Sequence, residues 1–155
     1  MKYELLECQA NGVSLRRIRA LKDFSNVKAG DLGGFVENGS NLSHNGDCWV
    51  YGNAQVFGNA WVYGNARISG ISWVSGNARI YGDSRISGDA RVRGNAEVFG
   101  RAEVGGYAEI SENAAVSGDA RVLGNAEIYG RAEVGGCACV SGDSSVCGNA
   151  MVFKI

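Results

Sequence analysis

The chain of 155 residues contains one histidine, His44, and five cysteines, at positions 8, 48, 137, 139 and 147. One imidazole can serve as a general base, but it cannot supply a metal centre that needs several histidines. Cys137 and Cys139 form a Cys-x-Cys, which is a weak zinc signal without two further ligands at matching spacing. No catalytic residue, metal site or cofactor is therefore expected, and His44 reads as a surface residue in a turn. The side chains left to do work are arginines and aromatics. Trp49, Trp61 and Trp73 each have an arginine at i+18: Arg67, Arg79 and Arg91. At i+18 again, Arg79, Arg85 and Arg91 are followed by Glu97, Glu103 and Glu109. A guanidinium lying on an indole contributes roughly 0.5–1 kcal/mol when exposed, and opposite charges across strands add a few tenths. Residues 67–93 hold five Arg and two Asp, whereas 97–133 hold six Glu and one Asp against three Arg. The first stretch suits a phosphate or an anionic partner.

Positions i and i+18 meet only if the chain returns to the same place at that interval, and its repeat does this. From Gly46 onward one phrase recurs: GNAQVF, GNAWVY, GNARIS and so on to GNAMVF. Every sixth residue from Val50 to Val152 is Val or Ile, with no insertion anywhere in the series. A small residue follows each aliphatic by four, from Ala54 to Ala150, and from Val50 to Val146 Gly follows by two with one exception, Glu112. Period six matches neither a helix nor an ordinary alternating strand. It fits a short strand plus a corner, with the aliphatic inward and its neighbours outward. Gly-Asn or Gly-Asp supplies the corner, because these residues tolerate positive φ. Three hexads make one coil, so eighteen hexads make about six coils.

The aliphatic, the glycine and the small residue four places on resemble the hexapeptide-repeat, left-handed parallel β-helix superfamily. In this chain Gly stands two places after the aliphatic, the variant of GNA-type repeats. The resemblance covers residues 46–155 and implies an all-β triangular prism with a left-handed winding. Acyltransferases of that superfamily use a histidine base and a loop that arches over the site, and its carbonic anhydrases bind metal with several histidines. Here His44 precedes the repeats and no loop interrupts them. A non-catalytic binding protein is therefore the leading expectation. An acyltransferase-like trimer with atypical catalytic residues and a purely structural assembly module are the alternatives. The opening, ALKDF…KAGDLGGFVE…NLS…GDCWVYGNA, is similar to uncharacterised repeat proteins of bacterial and phage genomes. That likeness implies a host protein, such as a defence factor, or its nucleotide-like signal as partner.

Residues 1–45 lack the period and form a small N-terminal β cap and run-in, with KYELLE and VSLRRIRAL as candidate strands. A cap covers the strand edges and core that an open β-helix end exposes. The candidate binding residues are Trp61, Tyr63, Arg67, Arg79, Tyr81, Arg85, Arg91, Arg93 and Phe99. The stacked series Tyr63, Tyr81 and Phe99 predicts one aromatic strip, with Met151 and Phe153 at its far end, through which a homo-oligomer, trimer or dimer, forms. The other sides are more polar, one with Ser69, Ser87 and Ser141, the other with Ser75, Arg93 and Ser111. With 15 Lys+Arg against 16 Asp+Glu the net charge is -1, so nucleic acid is not an expected partner. There is no apolar run of about 20 residues and no signal-peptide core, so no membrane is expected. An odd number of unevenly spaced cysteines points to a reducing cytoplasm. The chain has no Thr, which removes the threonine ladders of ice binding.

Overall fold

Each hexad folds as a two-residue strand followed by a corner. The strand ends on the aliphatic, whose side chain points inward, and the residue before it points outward. At the corner the hexad glycines have φ between 60 and 71, the left-handed region open to glycine. The backbone then turns so that the next small residue also faces inward. The computed structural model describes residues 1–7 and 14–155. Cys8 and Val13, the first residue of the second expected strand, lie outside the described residues.

Three strands come first: β1 (Tyr3–Leu5), β2 (Arg16–Ala20) and β3 (Leu32–Val36). β1 pairs antiparallel with β2, and β2 antiparallel with β3. Eighteen strands follow, one per hexad, from β4 (Trp49–Val50) to β21 (Met151–Lys154). Each pairs in parallel with the strand three hexads on, as Val56 does with Val74 and Val98 with Val116. The result is three sheets of nine, six and six strands. The chain is thus an all-β parallel solenoid with no α-helix among the described residues.

The pattern of hexads predicts about six coils, but the solenoid starts earlier. β3 pairs in parallel with Gln55–Val56, and Leu42 bridges in parallel to Val62. One sheet therefore stacks seven parallel strands, counted from β3. Leu42 and Val36 fill inward slots although two extra residues separate Leu42 from Val50. Asn41, wholly buried, compensates for that break. Its amide donates to the carbonyls of Gly58 (3.1 Å) and Ala60 (2.9 Å) and accepts from the N–H groups of Glu37 and Asn38.

Inside, sixteen of the eighteen repeat aliphatics are buried, each contributing about 1.5–3 kcal/mol. Val146 and Val152 are only partly buried, because no further coil lies above them. Two of the buried inward positions carry serine. Ser72 and Ser84 satisfy their hydroxyls on the carbonyls of Ser69 (2.7 Å) and Tyr81 (2.8 Å). At the opposite end the cap closes the core over Trp49. Expected outside like the other tryptophans, Trp49 is buried, edge-on to Phe24 at 5.2 Å and Tyr3 at 6.1 Å.

Candidate functional site

The aromatic strip forms as one stack on the six-stranded sheet that ends in β21. Trp61 and Tyr63 have ring centroids 4.0 Å apart, Tyr63 and Tyr81 4.8 Å, and Tyr81 and Phe99 5.1 Å. The last two pairs are parallel within 7° and 4°. For these two pairs the spacing is that of β-strands in register, about 4.8 Å, so the frame itself sets their stack, and Trp61 leans on it from the same coil as Tyr63 at 30°. Stacking leaves Tyr63, Tyr81 and Phe99 half-buried, less wet than an isolated strip, while Trp61 stays 43% exposed. At the far end of the same sheet Met151 and Phe153 are 65% and 54% exposed. Between them Gly135 makes room for Phe153, whose ring lies directly over it.

The arginines do not gather into one belt. Arg67 and Arg85 lie on the sheet that starts with β4, Arg79 on the aromatic sheet, and Arg91 on the third. Of the three Arg-on-Trp pairs that the spacing predicts, only Arg91 over Trp73 forms, at 4.9 Å. Trp49 is under the cap, and Trp61 turns to Tyr63 instead of Arg79. Arg91 and Arg93 share the Glu109 carboxylate, each at 3.8 Å. Arg121 is 3.8 Å from Glu103. Arg79–Glu97 and Arg85–Glu103 are register partners, but neither pair closes to an ion pair.

Arg67 and Arg85 face each other on adjacent coils with no carboxylate within ion-pair distance among the described residues. They border a groove of about 430 Å3 with Tyr51, Ser69 and Ser87. The cap orders this end: Arg67 donates to the Ser25 hydroxyl (3.1 Å), and Tyr51 donates to Asn26 (2.9 Å). Ser25 has φ 49, unusual for a residue other than glycine. Tyr51 is not among the expected binding residues, although its place one coil before Ser69 puts it on the same column. Nothing in the sequence pattern signals Ser25, whose role depends on how a loop folds back.

His44 lies in a bend at the surface and is half-buried there. Its ring stacks on Tyr3 at 4.1 Å, and its Nδ1 accepts the Lys2 backbone N–H at 3.2 Å. Partial burial, then the nearby N-terminal amine and Lys2, lower its pKa. With Nδ1 engaged, the neutral ring carries its proton on Nε2. Lys2, which no sequence pattern marks, is buried in the cap. Its Nζ donates to the carbonyls of Cys48 (2.7 Å) and Gly46 (3.3 Å) and reaches the Cys48 Sγ at 3.3 Å. Burial lowers the Lys2 pKa and raises that of the Cys48 thiol. Burial also pushes the Tyr3 hydroxyl up to about 12, and that hydroxyl donates to the Leu42 carbonyl. Among the described residues no three His, Cys, Asp or Glu side chains are grouped to hold a metal. None of their helices is long and apolar enough to cross a membrane.

Comparison with known proteins agrees with this geometry. Residues 54–70 and 60–76 match the family model described as the YdcK beta solenoid repeat. Over 47 residues the chain is 45% identical to a protein of Escherichia coli (strain K12) named "Uncharacterized acetyltransferase YdcK". That match covers 30% of this chain and 14% of the relative, so most of the relative has no counterpart here. The unbroken hexads and the strands stacked at intervals of three hexads make the chain a parallel β-solenoid, and over residues 54–76 its repeats are similar to the YdcK beta solenoid repeat.

Proposed function

We propose that this chain is a non-catalytic binding protein, and that copies of it associate through the sheet bearing Trp61, Tyr63, Tyr81 and Phe99. The observation that carries the reading is the continuous ring stack from Trp61 to Phe99, with gaps of 4.0–5.1 Å. Rings fixed in a stack lose little freedom on docking, and Trp and Tyr are the usual anchors of interfaces. Exposed Trp61, Met151 and Phe153 extend the apolar surface along the sheet. The left-handed, triangular winding implied by the resemblance suits a closed ring of parallel prisms, in which equivalent patches meet. Tyr81→Arg places a charge in mid-stack. Light scattering should give a multiple of 16.3 kDa for the unmutated chain and a single 16.3 kDa chain for the variant, with its melting preserved. An unmutated chain that is monomeric at tens of micromolar overturns self-association. A heterologous protein, such as the host factor suggested by the phage-like opening, then becomes the occupant to seek.

The name of the E. coli relative supports a second reading, acyl transfer. His44 borders a groove of about 480 Å3 that also includes Trp61. The hydrogen bond from Lys2 occupies the basic nitrogen that a general base would use. Turnover of acetyl-CoA with an amino-sugar acceptor, lost in His44→Ala, would establish this reading in place of the first.

A further inference from the structure

We propose that the groove beside Arg67 and Arg85 is a binding site for a phosphate monoester of a small hydroxylated molecule. This site lies on a different sheet from the aromatic stack and does not depend on self-association. Four features of the groove point to that chemistry. Arg67 and Arg85 are direct cross-strand partners, so their backbones lie one coil apart, about 4.8 Å, and both side chains leave the same sheet face. Like charges directly opposite one another destabilise a sheet. Several arginines of the solenoid are answered by acids, Arg91 and Arg93 by Glu109, Arg101 by Asp119 and Arg121 by Glu103, whereas Arg79 is not but has no arginine as its register partner. Arg67 and Arg85 have no such partner, and a dianion between them would supply what the chain withholds.

The second feature is preorganisation. Arg67 is held by Ser25 at 3.1 Å, and Ser25 itself stands at φ 49, a backbone conformation that costs a serine energy. A guanidinium whose position is fixed before the ligand arrives loses less freedom on binding. The third is the floor. Where the neighbouring sheet carries its large rings, this one carries Ser69, Ser87 and Gly105, and a side chain at Gly105 would crowd Leu123 and Ser87 at 3.2 Å each. Small residues keep the groove open; the Ser69 hydroxyl makes a long bond to the Ile86 carbonyl (3.4 Å), and the Ser87 hydroxyl lines the groove beside the guanidiniums. Hydroxyls and arginines together are the donors that phosphate oxygens take. The fourth is its polarity along the axis. One coil beyond Arg85 stands the Glu103 carboxylate, an acceptor for a hydroxyl, and Leu123 closes the groove one coil further. At about 430 Å3 the groove is far larger than a phosphate group, which leaves room for the ester's organic part along Glu103 and Leu123.

Titration calorimetry at low ionic strength tests this with four probes: AMP, glucose 6-phosphate, inorganic phosphate, and adenosine as the uncharged control. At least one of the two esters should bind saturably, one per chain, and more tightly than inorganic phosphate, while adenosine should not bind. Arg67→Gln and Arg85→Gln should each weaken that ester by roughly tenfold or more. Arg131→Gln, which removes the same charge elsewhere on the surface, should leave it unchanged. Without ligand, Arg85→Gln should melt no lower than the unmutated chain, since it removes a repulsion. A clear fall would instead mark Arg85 as a structural member of the sheet and overturn the proposal. Absence of saturable binding by either ester, equal affinity for inorganic phosphate, or equal weakening by Arg131→Gln overturns it as well. None of these outcomes changes the mass of the chain in solution, so self-association stands or falls separately.

Discussion

Glu112 occupies the corner position that every other repeat from Val50 to Val146 gives to glycine, and it does so at φ 58. An L-residue in that region costs roughly 1–2 kcal/mol. Its carboxylate recovers part of this by accepting the Gly130 N–H at 2.8 Å. Glu112→Gly trades an exposed hydrogen bond and some chain entropy for relief of strain, so it should melt at or above the unmutated chain. Gly94→Ala is the reverse experiment one coil below. Its Cβ would stand 2.7 Å from the Glu112 backbone nitrogen, in addition to the left-handed penalty. A loss of about 1–3 kcal/mol is expected, and thermal melting that matches the unmutated chain would contradict the corner geometry. His44 gives a second prediction at this scale. Burial lowers its pKa below the ordinary 6.5, so the fold favours the neutral ring. Its contribution to stability is complete above about pH 6.5 and declines as pH falls from there through the folded-state value. Between pH 7.5 and 5.5 the unmutated chain should therefore lose more thermal stability than His44→Gln. Equal losses would remove His44 from the account.

Among the elements, the repeated strand and the cap fail differently under mutation. Val98 is wholly buried in mid-column, paired with Val116 above and Ile80 below. Val98→Asp places an unpaired carboxylate there, a loss above about 4 kcal/mol that should leave the chain aggregated or unfolded. The milder Ile110→Val should cost about 0.5–1.5 kcal/mol and keep a cooperative transition. A soluble Val98→Asp with an unchanged midpoint would refute the buried column. The cap depends on a few large side chains. Trp49→Ala empties the space between Phe24 and Tyr3 and should cost about 3–5 kcal/mol. The repeated strand was legible in the sequence because each hexad repeats one local rule, so Val98 could be placed by counting. The register also gave the Tyr63–Tyr81–Phe99 stack. The cap obeys no period, and its contacts join residues far apart: Lys2 with Cys48, Ser25 with Arg67, Tyr51 with Asn26. Such pairs depend on how a loop returns, which spacing does not encode. Nor does spacing give side-chain direction, and so Trp61 turned from Arg79 to Tyr63.

For the whole molecule, a solenoid touches only its neighbouring coils, so its stability adds up along the axis rather than around one centre. The two ends of this chain are unequal. Near β3 the core is closed by Trp49, Tyr3 and the buried Lys2, which also tethers the carbonyls of Gly46 and Cys48. Toward β21, Val146 and Val152 are only partly buried, and Met151 and Phe153 stand exposed. Opening the coil at residues 140–154 therefore gives up less burial than opening an inner coil, because it is packed on one side only and Val146 and Val152 are already partly wet. Opening the cap exposes Trp49 and leaves a buried amine without its acceptors. Amide hydrogen exchange on the 155-residue chain should reveal this gradient. Protection should be greatest for the inter-coil amides of residues 61–122, and lowest for those that join the last two coils, such as Arg131 to Gly148 and Glu133 to Ala150. The Trp49 and Tyr51 amides, bonded to Ala66 and Ile68, should exchange more slowly than those last rungs. If self-association covers Met151 and Phe153, Tyr81→Arg should quicken exchange at the β21 end while leaving the capped end unchanged. Uniform protection from end to end would mean that the solenoid opens as one unit, contrary to contact between neighbouring coils alone.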